Sequence, residues 1–252
     1  MVWRLIVVLL LATLPARAEQ VVAGLSQTRV SITTNFAGSE ILIFGAVKRD
    51  APAPEGPPLE VVVTVAGPST PATVRKKDRR VGIWVNTESV RIAAAPSFYA
   101  VATTAPLDQA LSQTEDLRHK VSIPRAIRAV GATEETAEAQ SFIDALIRIR
   151  SETGLYQELP GAVELDEQTL FRTSIALPSN LTEGDYATRI FLTRGGEVVD
   201  AFETTIGVHK VGLERWTYLL AHQHPLAYAI LSLGIAIAAG WGASAAFRMM
   251  KS

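Results

Sequence analysis

PLAYAILSLGIAIAAGWGASAAF, residues 225–247, is a run of 23 residues without one charged side chain. At about 1.5 Å per helical residue it reaches ~34 Å, enough to cross a bilayer core with some tilt. Tyr228 stands near its start and Trp241 near its far end, where interfacial aromatics are favoured. Arg248 and Lys251 follow at once, and basic residues beside a span tend to stay in the cytoplasm. The pattern predicts a transmembrane helix over 225–247, a cytoplasmic tail over 248–252 and a body on the outer side. The alternative is a buried core helix, but a soluble helix of that length usually carries a charged stripe.

Within the run, Gly234, Ala238, Gly242 and Ala246 recur every fourth residue and so share one helix face. Small residues at that spacing let a second helix approach closely, which makes them candidates for packing on a partner. Ordinary Gly and Ala usage in such helices is the competing explanation. Just upstream, residues 213–224 read as a juxtamembrane, interfacial helix with Trp216 and Tyr218.

At the other end, Arg4 precedes an apolar run over residues 5–14, then Ala16-Arg17-Ala18. A basic start, a short apolar stretch and an A-x-A pattern predict a signal peptide over 1–18 with Glu19 as the mature start. Ten helical residues rise only ~15 Å, too little to span. The chain has 24 basic and 25 acidic residues, and losing Arg4 and Arg17 with the leader leaves 22 against 25, a net of −3. Such a balance offers nucleic acid no long-range attraction. There is no cysteine, so thiol catalysis, iron–sulfur clusters and zinc–thiolate sites are excluded, and an exported domain must rely on its core alone.

The body reads as mainly β. Residues 40–47 are almost continuously apolar, as in a strand buried on both faces. Residues 50–58 hold four prolines and a glycine and form a loop. In 59–66 the pattern alternates, with Leu59, Val61, Val63 and Val65 on one face. Residues 81–86 and 98–104 are further strands. A helical insertion follows over 106–157, with Thr133 as a cap, Glu134 and Glu135 in the first turn, and Ala139, Phe142, Ile143 and Leu146 at helical spacing. Strands return from Leu170, and Gly195-Gly196 marks a hairpin turn. The expectation is an immunoglobulin-like β-sandwich built from 19–105 and 158–212, interrupted by the helices; two smaller sandwiches are the alternative.

Several segments carry a family resemblance: Leu25-Ser26-Gln27 through Ile32-Thr33, residues 40–45, Gly82-Ile83-Trp84-Val85-Asn86-Thr87, Pro96-Ser97-Phe98-Tyr99-Ala100-Val101, and Lys210-Val211-Gly212-Leu213-Glu214-Arg215-Trp216. In this order, over nearly the whole mature chain, they resemble an alphaproteobacterial family of "putative transmembrane proteins". The resemblance implies a Gram-negative inner membrane, a periplasmic body and no assigned activity. The resemblance also implies gene neighbours that encode transporters of the sulfite-exporter type, which suggests a polytopic membrane protein as partner.

For chemistry the sequence offers little. His222 and His224, with His209 upstream, are the only histidine cluster, yet positions i and i+2 of a helix point apart; neither a metal nor any other cofactor is expected. Arg75, Lys76, Lys77, Arg79 and Arg80 put five cations into six residues. They read either as a solvated turn or as a surface for anionic lipid headgroups or an acidic partner. Trp84, Phe98 and Tyr99 are either buried sandwich aromatics or a ligand or partner surface. No nucleophile elbow, zinc-protease, dinucleotide or P-loop motif occurs, and Asn180-Leu181-Thr182 is a sequon without use in a bacterium. The expectation is a non-enzymatic accessory or binding subunit, with a free-standing periplasmic ligand-binding or sensory module as the alternative.

Overall fold

The computed structural model describes residues 19–33, 36–49, 52, 54, 56–129, 137–210 and 213–250. The expected leader, the Thr133 cap with Glu134 and Glu135, and Lys251 lie outside the described residues. The chain divides into a body, up to Val30 and over 37–208, and a second unit of residues 31–36 and 209–252.

Among the described residues thirteen strands build three sheets in a mainly β fold. The first sheet holds, in order, β1 (Glu19–Leu25), β3 (Ser39–Arg49), β11 (Leu170–Leu177) and β10 (Glu164–Asp166). The second holds β2 (Arg29–Ile32), β13 (Glu197–Lys210), β12 (Gly184–Arg194), β4 (Leu59–Ala66), β7 (Tyr99–Thr103) and β9 (Tyr156–Pro160). The third is a long hairpin of β5 (Ser69–Arg80) and β6 (Ile83–Pro96) with the short β8 (Arg128–Ala129) at its edge. The β7–β9 pair is parallel, and the helices α1 (Leu107–Ala110), α2 (Gln113–His119), α3 (Ile123–Ala126) and α4 (Ala137–Glu152) fall in the connection between them.

The apolar runs of β3 and β4 have fates opposite to those their patterns predict. β4 is buried on both faces: Val61, Val62, Val63, Thr64 and Val65 are at most 1% exposed. It lies inside the six-stranded sheet, paired with β12 on one side and β7 on the other. Val62 enters a cluster with its sheet neighbours Val101 and Phe191, with Ile92 of the hairpin, and with Leu111 and Phe142 of the helical region. Val61 and Val63 stand beside Leu192 and Ile190 on the other face. β3, expected to be buried twice, is buried once. Ile41, Ile43 and Val47 are inside, but Leu42 and Phe44 are 42% and 45% exposed. The helices and hairpin give the six-stranded sheet a second cover, and the outer face of the four-stranded sheet receives none from the described residues.

The first two sheets are tied at one corner. The Glu19 carboxylate on β1 accepts from Arg49 Nε at 2.8 Å and from Arg194 Nη2 of β12 at 2.9 Å. The Val21 amide donates to an Asp200 carboxylate oxygen at 2.9 Å. Elsewhere local chemistry sets the turns. Ser112 caps α2, Lys120 ends it in the left-handed region (φ +52), and Asp116 accepts from the Val121 and Ser122 amides. The β12–β13 turn uses Gly195 and Gly196 at φ +59 and +84, which cost glycine nothing.

The second unit consists mainly of α5 (Leu213–Gln223) and α6 (Pro225–Met250). Pro225 opens α6 at a position where its missing N–H is no loss.

Candidate functional site

Three surfaces hold side chains that the fold does not use. The first is α6. Residues Pro225–Ser244 are long and apolar enough to cross a membrane, and none of that stretch is buried. Leu226, Ile230, Leu233, Ile235, Ile237 and Trp241 all face outward. In water such exposure is costly, at roughly 25 cal/mol per Å² of apolar surface. In lipid it costs nothing, because the backbone bonds are satisfied within the helix. Ser232 also returns its hydroxyl to the Ala229 carbonyl at 3.0 Å. The small-residue face lies open: a Cβ added to Gly234 or Gly242 meets nothing within 4 Å. Ala238 lies between them on that face, and the side chain of Ala246 is outside the described residues.

On α5, the His222 ring stacks on Tyr218 at 4.0 Å, and its Nδ1 sits 2.9 Å from the Tyr218 carbonyl. The histidine is thus engaged by its own helix. Among the described residues no three His, Cys, Asp or Glu side chains gather as a metal would require.

The second surface is the β5–β6 hairpin. The charge run is not a turn, as one reading of the sequence had it, but the outer half of β5. The turn itself is Val81-Gly82, at φ +51 and +84. Arg75, Lys76, Lys77, Arg79 and Arg80 are all exposed. The three aromatics considered together in the sequence separate here. Phe98 and Tyr99 are core residues, while Trp84, opposite Arg79, is 68% exposed. Burial raises the Tyr99 hydroxyl above its ordinary pKa, against the pull of Arg189, so it stays a proton donor, and it bonds the Val121 carbonyl at 2.8 Å.

The third surface was not recognised in the sequence. The outer face of β1, β3 and β11 forms an open concavity of about 610 Å³. Gly24, Phe44, Ala46, Val22, Leu170 and Arg172 line it. Cross-strand register explains the grouping: Val22, Ala46 and Leu170 form one row, and Gly24, Phe44 and Arg172 the next. Beneath it, Gly45 allows close layering, since a Cβ there would stand 2.5 Å from the Phe171 ring and 2.6 Å from the Val22 carbonyl. The only signal in the sequence was the unbroken apolar run of β3 itself.

No curated protein matches the chain. The crystal structure of Spo0M, a sporulation control protein from Bacillus subtilis, aligns at 12% identity over 82% of this chain and 55% of that one, with a TM-score of 0.27. The chain thus spans about half of that protein's length. The match that does carry weight runs over residues 20–249 and takes in both the β body and the exposed apolar helix: the chain belongs to the family described as "Putative transmembrane protein (Alph_Pro_TM)".

Proposed function

We propose that this chain is a membrane-anchored accessory subunit, with its β body in the periplasm and α6 as its single span in the inner membrane. In this reading α6 packs its Gly234/Ala238/Gly242 face on a polytopic transporter, of the sulfite-exporter type that the resemblance implies. The observation that supports it is an apolar helix with no cover and a smooth, small-residue face. The body contributes binding rather than catalysis. The basic residues after the span support an orientation with the body outside. Replacing Gly234 and Gly242 by Leu blocks close approach. The expected result is loss of the co-purifying polytopic protein in mild detergent, with the body's melting temperature unchanged. Undiminished co-purification contradicts the reading.

The apolar concavity favours a second reading, a free-standing ligand-binding or sensory module that uses α6 only as a tether. Exchanging residues 222–252 for an unrelated anchor separates the two. The tethered module keeps its function, and the accessory subunit loses it.

A further inference from the structure

The outer half of the β5–β6 hairpin holds chemistry that neither reading uses. Val74 and Ile92 fix its base in the core. Beyond them no residue from Arg75 to Ser89 is buried. The ribbon therefore stands clear by the length of residues 75–80, about 20 Å at ~3.4 Å per residue.

Register divides its side chains between two faces. Arg79 lies opposite Trp84 and Lys77 opposite Asn86, while Arg80 lies opposite Ile83 and Asp78 opposite Val85. The two carboxylates are taken: Asp78 by Arg80 at 3.7 Å and Glu88 by Lys76 at 3.4 Å. Among the described residues no carboxylate comes within ion-pair reach of Arg75, Lys77 or Arg79. Net positive charge therefore collects on the Trp84 face.

The apex is harder to explain by folding alone. Both turn residues occupy the left-handed region, where Asn-Gly is the favoured pair. A β-branched valine at that position is strained. Its side chain gains nothing in return, because Val81 is fully exposed and Ile83 and Trp84 are exposed beside it. Protecting a bare two-stranded ribbon from aggregation explains the lysines and arginines, but a polar tip would serve that end better. Valine and isoleucine at the apex, a tryptophan just behind and cations around them match a boundary that is apolar within and anionic at its surface. Tryptophan prefers the headgroup level, aliphatic side chains the acyl boundary, and arginine stems lie along apolar surface with their charge among phosphates.

We propose that the hairpin tip, residues 79–84, is a docking arm for the surface of an anionic phospholipid bilayer. The proposal rests on the hairpin's own residues and not on α6, so it stands or falls independently of the proposed function.

The chain has no native cysteine, so Ile83→Cys accepts a single environment-sensitive fluorophore. The labelled full chain is reconstituted in nanodiscs of phosphatidylcholine, or of an equal mixture with phosphatidylglycerol. Neutral discs are also mixed with vesicles of the anionic mixture, which tests a membrane other than the chain's own. The proposal predicts a blue shift and several-fold weaker quenching by acrylamide in one of the two anionic settings, reversed by high salt. Lys77→Glu with Arg79→Glu abolishes the protection. Val81→Asn is the sharper variant: it restores the favoured turn, so the hairpin is at least as stable, yet the protection falls. If Val81→Asn leaves protection intact, or the label is equally exposed in neutral and anionic lipid, the proposal is overturned. Protection in native membranes but not in lipid alone also overturns it, in favour of an acidic protein partner.

Discussion

Strand β4 and helix α6 are both strings of apolar side chains, and their surroundings could hardly differ more. In β4 five consecutive residues are sealed from solvent. In α6 residues of the same kind, from Leu226 to Trp241, are exposed along the whole length. A β-strand can be covered on two faces by its own chain, and β4 is, with helices and hairpin supplying the second layer. A helix apolar on every side needs cover all round, and the described residues supply none of it. Strand β3 falls between them, with one face covered and one open. The comparison suggests that apolar sequence measures how much cover is needed, and that function resides where the chain does not supply it.

The largest predicted effect comes from placing a charge at matched positions. Val63→Asp buries an unpaired carboxylate and should cost on the order of 5 kcal/mol, unfolding the body, as read by its melting transition. Ile235→Asp should leave that transition unmoved and instead weaken membrane retention, at about 3 kcal/mol for a charge near the middle of a span. If Ile235→Asp melts the body, α6 is a core helix and the contrast fails.

The next effect tests the layering beneath the open face. Gly45→Ala forces a methyl against the Phe171 ring and the Val22 carbonyl, and should destabilise by about 1–3 kcal/mol. Denaturant unfolding measures it.

A similar loss, about 2 kcal/mol, is expected for Glu19→Gln, which breaks the corner between the two sheets. Burial pushes the Glu19 carboxyl up, but hydrogen bonds from Arg49 and Arg194, with their charges, outweigh it and hold it below the usual carboxylate range. A depressed carboxyl stabilises the fold fully above its unfolded value of 4.5 and loses that contribution as the pH falls through the folded value. Stability measured from neutral to acid pH should therefore drop less steeply in Glu19→Gln than in the parent.

The smallest effect sharpens the case of β3. Phe44→Ser on the open face should change folding stability by less than about 1 kcal/mol, although the same change in a core aromatic costs several. A large loss would mean that this face is covered after all.

These contrasts also show what the sequence could reveal. The apolar helix was legible because its signal is local: length, absence of charge and flanking aromatics. The Gly195-Gly196 turn was legible for the same reason. The faces of β3 and β4 were not, because an unbroken apolar run has no period, and cover is decided by partners far along the chain. Nor was the Glu19 corner, whose partners lie 30 and 175 residues away. The true hairpin turn was obscured by Val81, a residue that local rules keep out of left-handed positions. Trp84 could be placed on a strand face by alternation, but alternation does not say whether that face meets a neighbour.

The most direct measurement compares the full chain with one ending at residue 212 in membranes washed with alkaline carbonate. The account predicts that the full chain stays in the membrane pellet, while the shortened chain is released, soluble without detergent, and melts as the body of the full chain does. Release of the full chain by carbonate, or aggregation of the shortened one through loss of a core element, would contradict it.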